Sequence, residues 1–235
     1  MWNQFTEFLC ATKCDKLRAV HIREPAKLSS GMQQELFQAL FPVACDAFQQ
    51  NQTETFSADV RQHLFSWEGL IAVLRDDVPI AFRMWQVFPS DWGNILYLAG
   101  MCVRRTYQGI GIGESLLHYV MQMYLIERNH FIALRTQNPV MKKCFDRAVG
   151  GLSYPNGTVV PQDIRAAGIL LAERLGDTEY DPDTLISRRA YQGSLYGAPP
   201  DPVNESVYMS VFGGIDANMG DAVFCIWSIL AHGGA

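Results

Sequence analysis

Residues 108–113 read QGIGIG and hold the densest chemical signal in this 235-residue chain. Gly109, Gly111 and Gly113 follow an apolar stretch and open an amphipathic one. Lacking side chains, they let main-chain N–H groups converge on one point, and the N-terminus of a following helix adds a favourable dipole. That chemistry grips a pyrophosphate. A dinucleotide fingerprint GxGxxG begun at Gly109 needs a glycine where Glu114 stands, and the strands before it form a meander rather than a βαβ unit. A P-loop needs Lys and then Ser or Thr after its last glycine, and Glu114 follows Gly113. The spelling that survives is Gln/Arg-x-x-Gly-x-Gly/Ala, met by Gln108, Gly111 and Gly113.

The elements that must position this turn follow from periodicity. Lys16–Arg23 alternates as a strand, and Ser29 or Ser30 caps a helix through Gln33, Leu36, Phe37 and Leu40 that Pro42 should stop. Further helix is expected over 44–50 and 57–67. Residues 70–74 and Val78–Phe88 form a hairpin around Asp76-Asp77, and 94–104 reads as one further strand, making three consecutive antiparallel strands. A helix over 114–127 buries Leu116, Leu117, Val120, Met121, Tyr124 and Leu125 on one face. A strand over 131–136 and a helix over Pro139–Val149 follow, and the crossover makes that strand parallel to the one before the turn. A helix over 161–175 ends at Gly176, and 207–212 and 222–230 read as closing strands. The expected fold is α/β (α+β), a mixed and mostly antiparallel sheet of about seven strands flanked by helices. Residues 1–235 are read as one domain, with 150–204 an insertion on the acceptor side.

With Val103 five residues upstream and Leu116-Leu117 just downstream, the motif resembles that of the GNAT superfamily of acyl-CoA-dependent N-acetyltransferases, most specifically over residues 94–147. The resemblance implies acetyl-CoA, or another acyl-CoA, as co-substrate. It implies main-chain contacts to the pantetheine arm from Met101, Cys102 and Val103. Around the pyrophosphate it implies Gln108, Gly109, Ile110, Gly111, Ile112, Gly113 and Glu114. Asn138 matches a position whose side chain commonly meets the cofactor arm, and reads equally well as a helix cap. The implied reaction is direct attack of a neutral amine on the thioester, for which Glu68, Asp91 and Tyr97 are the candidate bases, each also readable as an ordinary surface or packing residue. Where many members carry a Tyr that protonates the departing thiolate, this chain has Phe145, whose ring has no proton to give. Tyr154 and Tyr97 are the tyrosines that could substitute for it. Cys144 beside it has no His placed near it and reads as an inert thiol. The rival is a non-catalytic acyl-CoA-binding module; an enzyme using a longer acyl donor is a second alternative.

Composition narrows the partners. A net charge of −5 opposes a surface built to neutralise nucleic-acid phosphates, although Arg104, Arg105, Arg135, Lys142 and Lys143 would suit a small anion. The expected acceptor is a small-molecule or peptide amine, with no nucleic acid and no membrane as partner and a homodimer left open. No run reaches the ~18 apolar residues of a membrane span and no secretory leader is visible, which makes the cytoplasm the default location. Six cysteines without a paired CxxC spacing read as reduced thiols rather than a metal site.

Overall fold

The computed structural model describes residues 1–11, 16–91, 93–124, 129–200 and 203–229. In chain order its elements are β1 (Thr6–Ala11), β2 (Lys16–Arg23), α1 (Ser30–Phe48), α2 (Glu54–Phe65), β3 (Gly69–Arg75), β4 (Val78–Phe88), β5 (Asn94–Tyr97), β6 (Met101–Val103), α3 (Ile112–Tyr124), β7 (Asn129–Thr136), α4 (Pro139–Val149), α5 (Gln162–Leu175), β8 (Glu179–Asp181), β9 (Ile186–Arg188), α6 (Ser206–Phe212) and β10 (Ala222–Ser228). The architecture is mixed α/β with largely antiparallel strands, as expected. The ten described strands exceed seven because β1, β8 and β9 carry no strong pattern and 94–104 divides in two, while 207–212, counted among the seven, is helical.

The chain forms two compact units, the first from Met1–Gln86 and Leu98–Val120, the second from Val87–Tyr97 and Met121 onward. In the first, β1, β2, β3 and β4 pair in order, all antiparallel, and β6 pairs antiparallel with β4. The β3–β4 turn is made by Asp76 and Asp77 at φ of 50° and 62°, the left-handed pair that a tight hairpin needs. Cross-strand rows fix the faces. Val20, Ala72, Phe82 and Cys102 form one row, and Ile22, Leu70 and Met84 the next. These pack with Leu36, Phe37, Leu40, Val43 and Ala44 of α1 and Val60 and Leu64 of α2 into one core. Pro42 therefore does not stop α1 as expected: it sits inside the helix, which runs on to Phe48 because Val43 and Ala44 beyond it are buried in that core. Helix α2 starts at the Thr53 cap, whose hydroxyl accepts from the Phe56 N–H at 3.2 Å.

In the second unit β5 and β7 run parallel, as expected for a crossover through a helix, and β7, β10, β9 and β8 then pair antiparallel. Helix α5 lies against β10 and α4 against α6. Residues 207–212, read as a strand, are helical instead. Alternation of Val207, Met209 and Val211 fits a period of two, yet Tyr208 and Val211, three apart, are the buried pair. The end of the helix expected over 114–127, past Tyr124, lies outside the described residues.

Candidate functional site

Residues 94–104 do not form one strand. The stretch divides between Tyr97 and Met101: β6 pairs with β4, and β5, which also adjoins β4 in the strand order, pairs with β7 as well. Gly100 lies between them, close to the flexible end of Met84: a Cβ there would come within 2.7 Å of the Met84 methyl. On β6, the Gly100 carbonyl accepts from Met84 N–H at 3.0 Å and Arg104 N–H donates to the Ile80 carbonyl at 2.8 Å, with Cys102 opposite Phe82. In an antiparallel ladder such residues alternate with ones whose main-chain groups point away. Met101 and Val103 therefore turn their N–H and C=O groups to the side on which β6 has no partner among the described strands.

The turn follows directly. A single 3-10 turn at Arg105–Tyr107 leads to Gly109 and Gly111, with φ of +80° and +94°, a region that side-chained residues rarely adopt. A Cβ on Gly109 would meet nothing within 4 Å, so the glycine serves the turn and the space above it is open. Ser115 N–H donates to the Gly111 carbonyl at 3.0 Å, which leaves the N–H groups of Ile112, Gly113 and Glu114 at the helix start without intrahelical acceptors. Among the described residues, no N–H of residues 109–114 donates to a protein acceptor. Gln108 differs: its N–H donates to the Arg105 carbonyl at 3.2 Å, and its side-chain amide donates to the Val103 carbonyl at 2.9 Å. The sequence placed Gln108 among the turn donors and gave no sign that its side chain folds back. Six main-chain donors without a protein acceptor, in a turn that opens a helix, fit an anionic diphosphate, and the outward groups of β6 fit an extended amide-bearing chain.

The other named residues fall as follows. Glu68 stands before β3 in the first unit, where its N–H donates to the Gln86 side-chain oxygen at 3.1 Å and its carboxylate faces the Gln86 amide nitrogen at 3.4 Å. Asp91 is exposed, and Tyr97 is buried with its ring 6.0 Å from that of Phe88; both lie in the second unit. Asn138 acts as the cap of α4: its side-chain oxygen accepts from Val140 N–H at 2.9 Å and its amide nitrogen lies 3.3 Å from the Tyr196 hydroxyl. Phe145 is fully buried. Burial pushes the Cys102 thiol up, and pushes Cys225 up to about 12, so neither is a ready nucleophile.

The expected basic patch is not one surface. Arg135 is largely covered, paired with Asp177 and stacked 4.5 Å from the centre of the Tyr191 ring. Its pKa is raised: burial works against the charge, and Tyr191, Tyr97 and Asp177 overcome it. Lys142 is fully buried against Asp146. Both cations read as surface groups because each belongs to an element with a solvent-facing side, and sequence spacing does not reveal a buried carboxylate partner.

Sequence reasoning also missed Gln137, which is 4% exposed. Its amide nitrogen reaches the carbonyls of Asp221 at 3.0 Å, Ala217 at 3.2 Å and Gly193 at 3.4 Å, while its oxygen accepts from Leu195 N–H at 2.9 Å. The only signal was a polar residue directly following an apolar strand.

Comparison with known proteins follows the same residues. The model of the acetyltransferase (GNAT) family matches residues 35–150. Among solved structures, a conserved protein of Enterococcus faecalis V583 described as a probable N-acyltransferase is 14% identical, with a TM-score of 0.43 over 57% of this chain and 31% of its own. This chain thus spans under a third of that protein's length. The GNAT domain of S. lividans PAT is 15% identical, with a TM-score of 0.42 over 60% of this chain and 86% of its own. An aminoglycoside acetyltransferase from an uncultured soil metagenomic sample, in complex with trehalose, is 15% identical, with a TM-score of 0.44 over 62% and 93%. No curated protein matches the chain.

Proposed function

Since residues 35–150 make this chain a member of the acetyltransferase (GNAT) family, we propose that it transfers an acetyl or other short acyl group from acyl-CoA to an amine by direct attack. One observation carries the reading: among the described residues, the N–H groups of residues 109–114 have no protein acceptor, and the strand beside them has an edge with no partner strand. The turn of residues 109–114 would hold the pyrophosphate, and Met101 and Val103 would pair with the pantetheine arm. A thioester supplies an activated acyl carbonyl and a thiol leaving group. For its part the chain must orient that carbonyl, and an outward N–H of β6 is suited to stabilising the oxygen as negative charge develops. The incoming ammonium must lose a proton before it can attack, and Glu68, Asp91 and Tyr97 remain the candidate bases.

The experiment is a titration of the full chain with CoA, followed by acetyl-CoA with a panel of polyamines, aminoglycosides, amino acids and peptides, reading free thiol. Thiol release with at least one amine supports the transferase. Phe145, buried and without a transferable proton, favours a second reading, an acyl-CoA-binding module. Tight CoA binding with no thiol release from any acceptor or acyl length would select it. No measurable CoA binding would overturn both.

A further inference from the structure

We propose that Gln108 is a positioning residue that ties the glycine turn to β6, so that the phosphate end and the thioester end of an acyl-CoA are held in one register. The inference rests on the acyl-CoA reading above and concerns how that site is built. Strand β6 is only three residues long and, among the described strands, pairs on one side only. So short a strand needs other restraints. Its Cys102 side chain is anchored in the core with α1 and α2. On the opposite face, the fully buried Arg83 sends a guanidinium nitrogen to within 3.2 Å of the Met101 sulfur. The third restraint is the Gln108 amide on the Val103 carbonyl, at 2.9 Å.

That last bond does two things. It closes the loop between Val103 and the glycines, so that a shift of the turn is felt on β6 and the reverse. It also occupies one of the outward groups of the strand. Of the four main-chain groups that Met101 and Val103 turn away from β4, the Val103 carbonyl is already taken, leaving two N–H donors and one carbonyl for a ligand. An arm with amide carbonyls and an amide N–H matches that set.

Gln108 touches the protein, so its effect on a ligand must pass through β6. Substituting Gln108→Met keeps length and removes the donor, whereas Gln108→Arg restores an N–H donor at that reach. Two probes separate the ends of the site: CoA itself, and 3′-phosphoadenosine 5′-diphosphate, which carries the pyrophosphate without the arm. We expect Gln108→Met to weaken CoA binding about fivefold, the value of one modest hydrogen bond. It should leave the diphosphate probe within about 1.5-fold of wild type, and Gln108→Arg should recover most of the CoA affinity. Equal loss of both probes, or no loss of either, would overturn the coupling role. A wild-type chain that binds neither probe would overturn the acyl-CoA reading itself, a result distinguishable from either of these.

Discussion

Lys142 and Asp146, four residues apart on α4, form an ion pair inside the second unit, the ammonium fully buried and 3.1 Å from the carboxylate. Ser153 completes the arrangement. Its carbonyl and hydroxyl each accept from the ammonium at 2.9 Å, and its N–H donates to Asp146 at 2.9 Å. Tyr208 of α6 shares the site: burial, and then the charge of Asp146 and a hydrogen bond to it, push its phenol up to about 12. The group fastens α4, the loop after it and α6 together.

Removing one charge from such a site leaves the other desolvated. Lys142→Met should therefore destabilise the second unit by about 3–5 kcal/mol, much more than an exposed i,i+4 pair could. Lys142→Met combined with Asp146→Leu should recover part of that loss, less what is left by the Ser153 and Tyr208 groups that then lack an acceptor. Urea unfolding of the single and double variants measures both. A single variant within 1 kcal/mol of wild type, on the order of a surface pair, would contradict burial of the charge.

The same pair marks what the sequence could and could not say. Lys-x-x-x-Asp on an amphipathic helix reads as a solvated face, and nothing in the spacing announces that Ser153 and Tyr208 close over it. The glycine turn was legible because its chemistry is local: backbone conformation at Gly109 and Gly111 is dictated within a few residues. Helix α4 was legible for a similar reason, with Asn138 and Pro139 opening it and Gly150 closing it in the left-handed conformation. The break in 94–104 was not legible, since Leu98 and Ala99 are as apolar as their neighbours and only strand pairing decides where a ladder ends. Helix α6 was misread because seven residues are too few to separate a period of two from one of 3.6. Gln137 and the folded-back Gln108 depend on partners that packing alone brings near.

His21 gives the fold an acid limit. It is 8% exposed, its ring centre is 5.2 Å from that of Trp85, and burial, helped by Arg23, lowers its pKa to about 4. An unfolded His titrates near 6.5, so between about 6.5 and 4 the unfolded chain binds the proton and the folded one does not. Stability from this group is fully present above that window and falls as pH drops through it, by on the order of 3 kcal/mol in all. His21→Leu, close in volume, should flatten this limb. Urea midpoints at pH 7 and pH 5 for both proteins are the check; equal slopes in wild type and variant would refute it.

Gly111 should tolerate no acidic side chain if the turn binds phosphate. At φ +94° any L residue is strained there, by about 1–2 kcal/mol, a cost the fold should survive. Gly111→Glu would also set a carboxylate beside the donors of residues 109–114. CoA affinity should fall at least about 100-fold, equivalent to ~2.7 kcal/mol, while the circular dichroism spectrum stays that of wild type. A folded variant that binds CoA as tightly as wild type would remove the turn from the site.

Gln137 should prove to be the fastening of the chain that returns after α5. Its one amide serves the carbonyls of Gly193, Ala217 and Asp221 and the N–H of Leu195, so three separate stretches meet at the end of β7. Gln137→Leu preserves volume and removes every one of these bonds, leaving buried main-chain groups without partners at a cost of about 2–4 kcal/mol. The loss should be local. Hydrogen exchange of residues 189–196 and 216–221 should accelerate, because their main-chain bonds to one another, such as Tyr191 N–H to the Gly220 carbonyl at 3.1 Å, rely on the same alignment. Exchange in β2 and β3, which belong to the first unit, should be unchanged. If residues 150–204 shape the acceptor side, the same variant will raise KM for the amine more than KM for acyl-CoA. A variant that raises both equally would make Gln137 a support of the fold with no bearing on which amine is accepted.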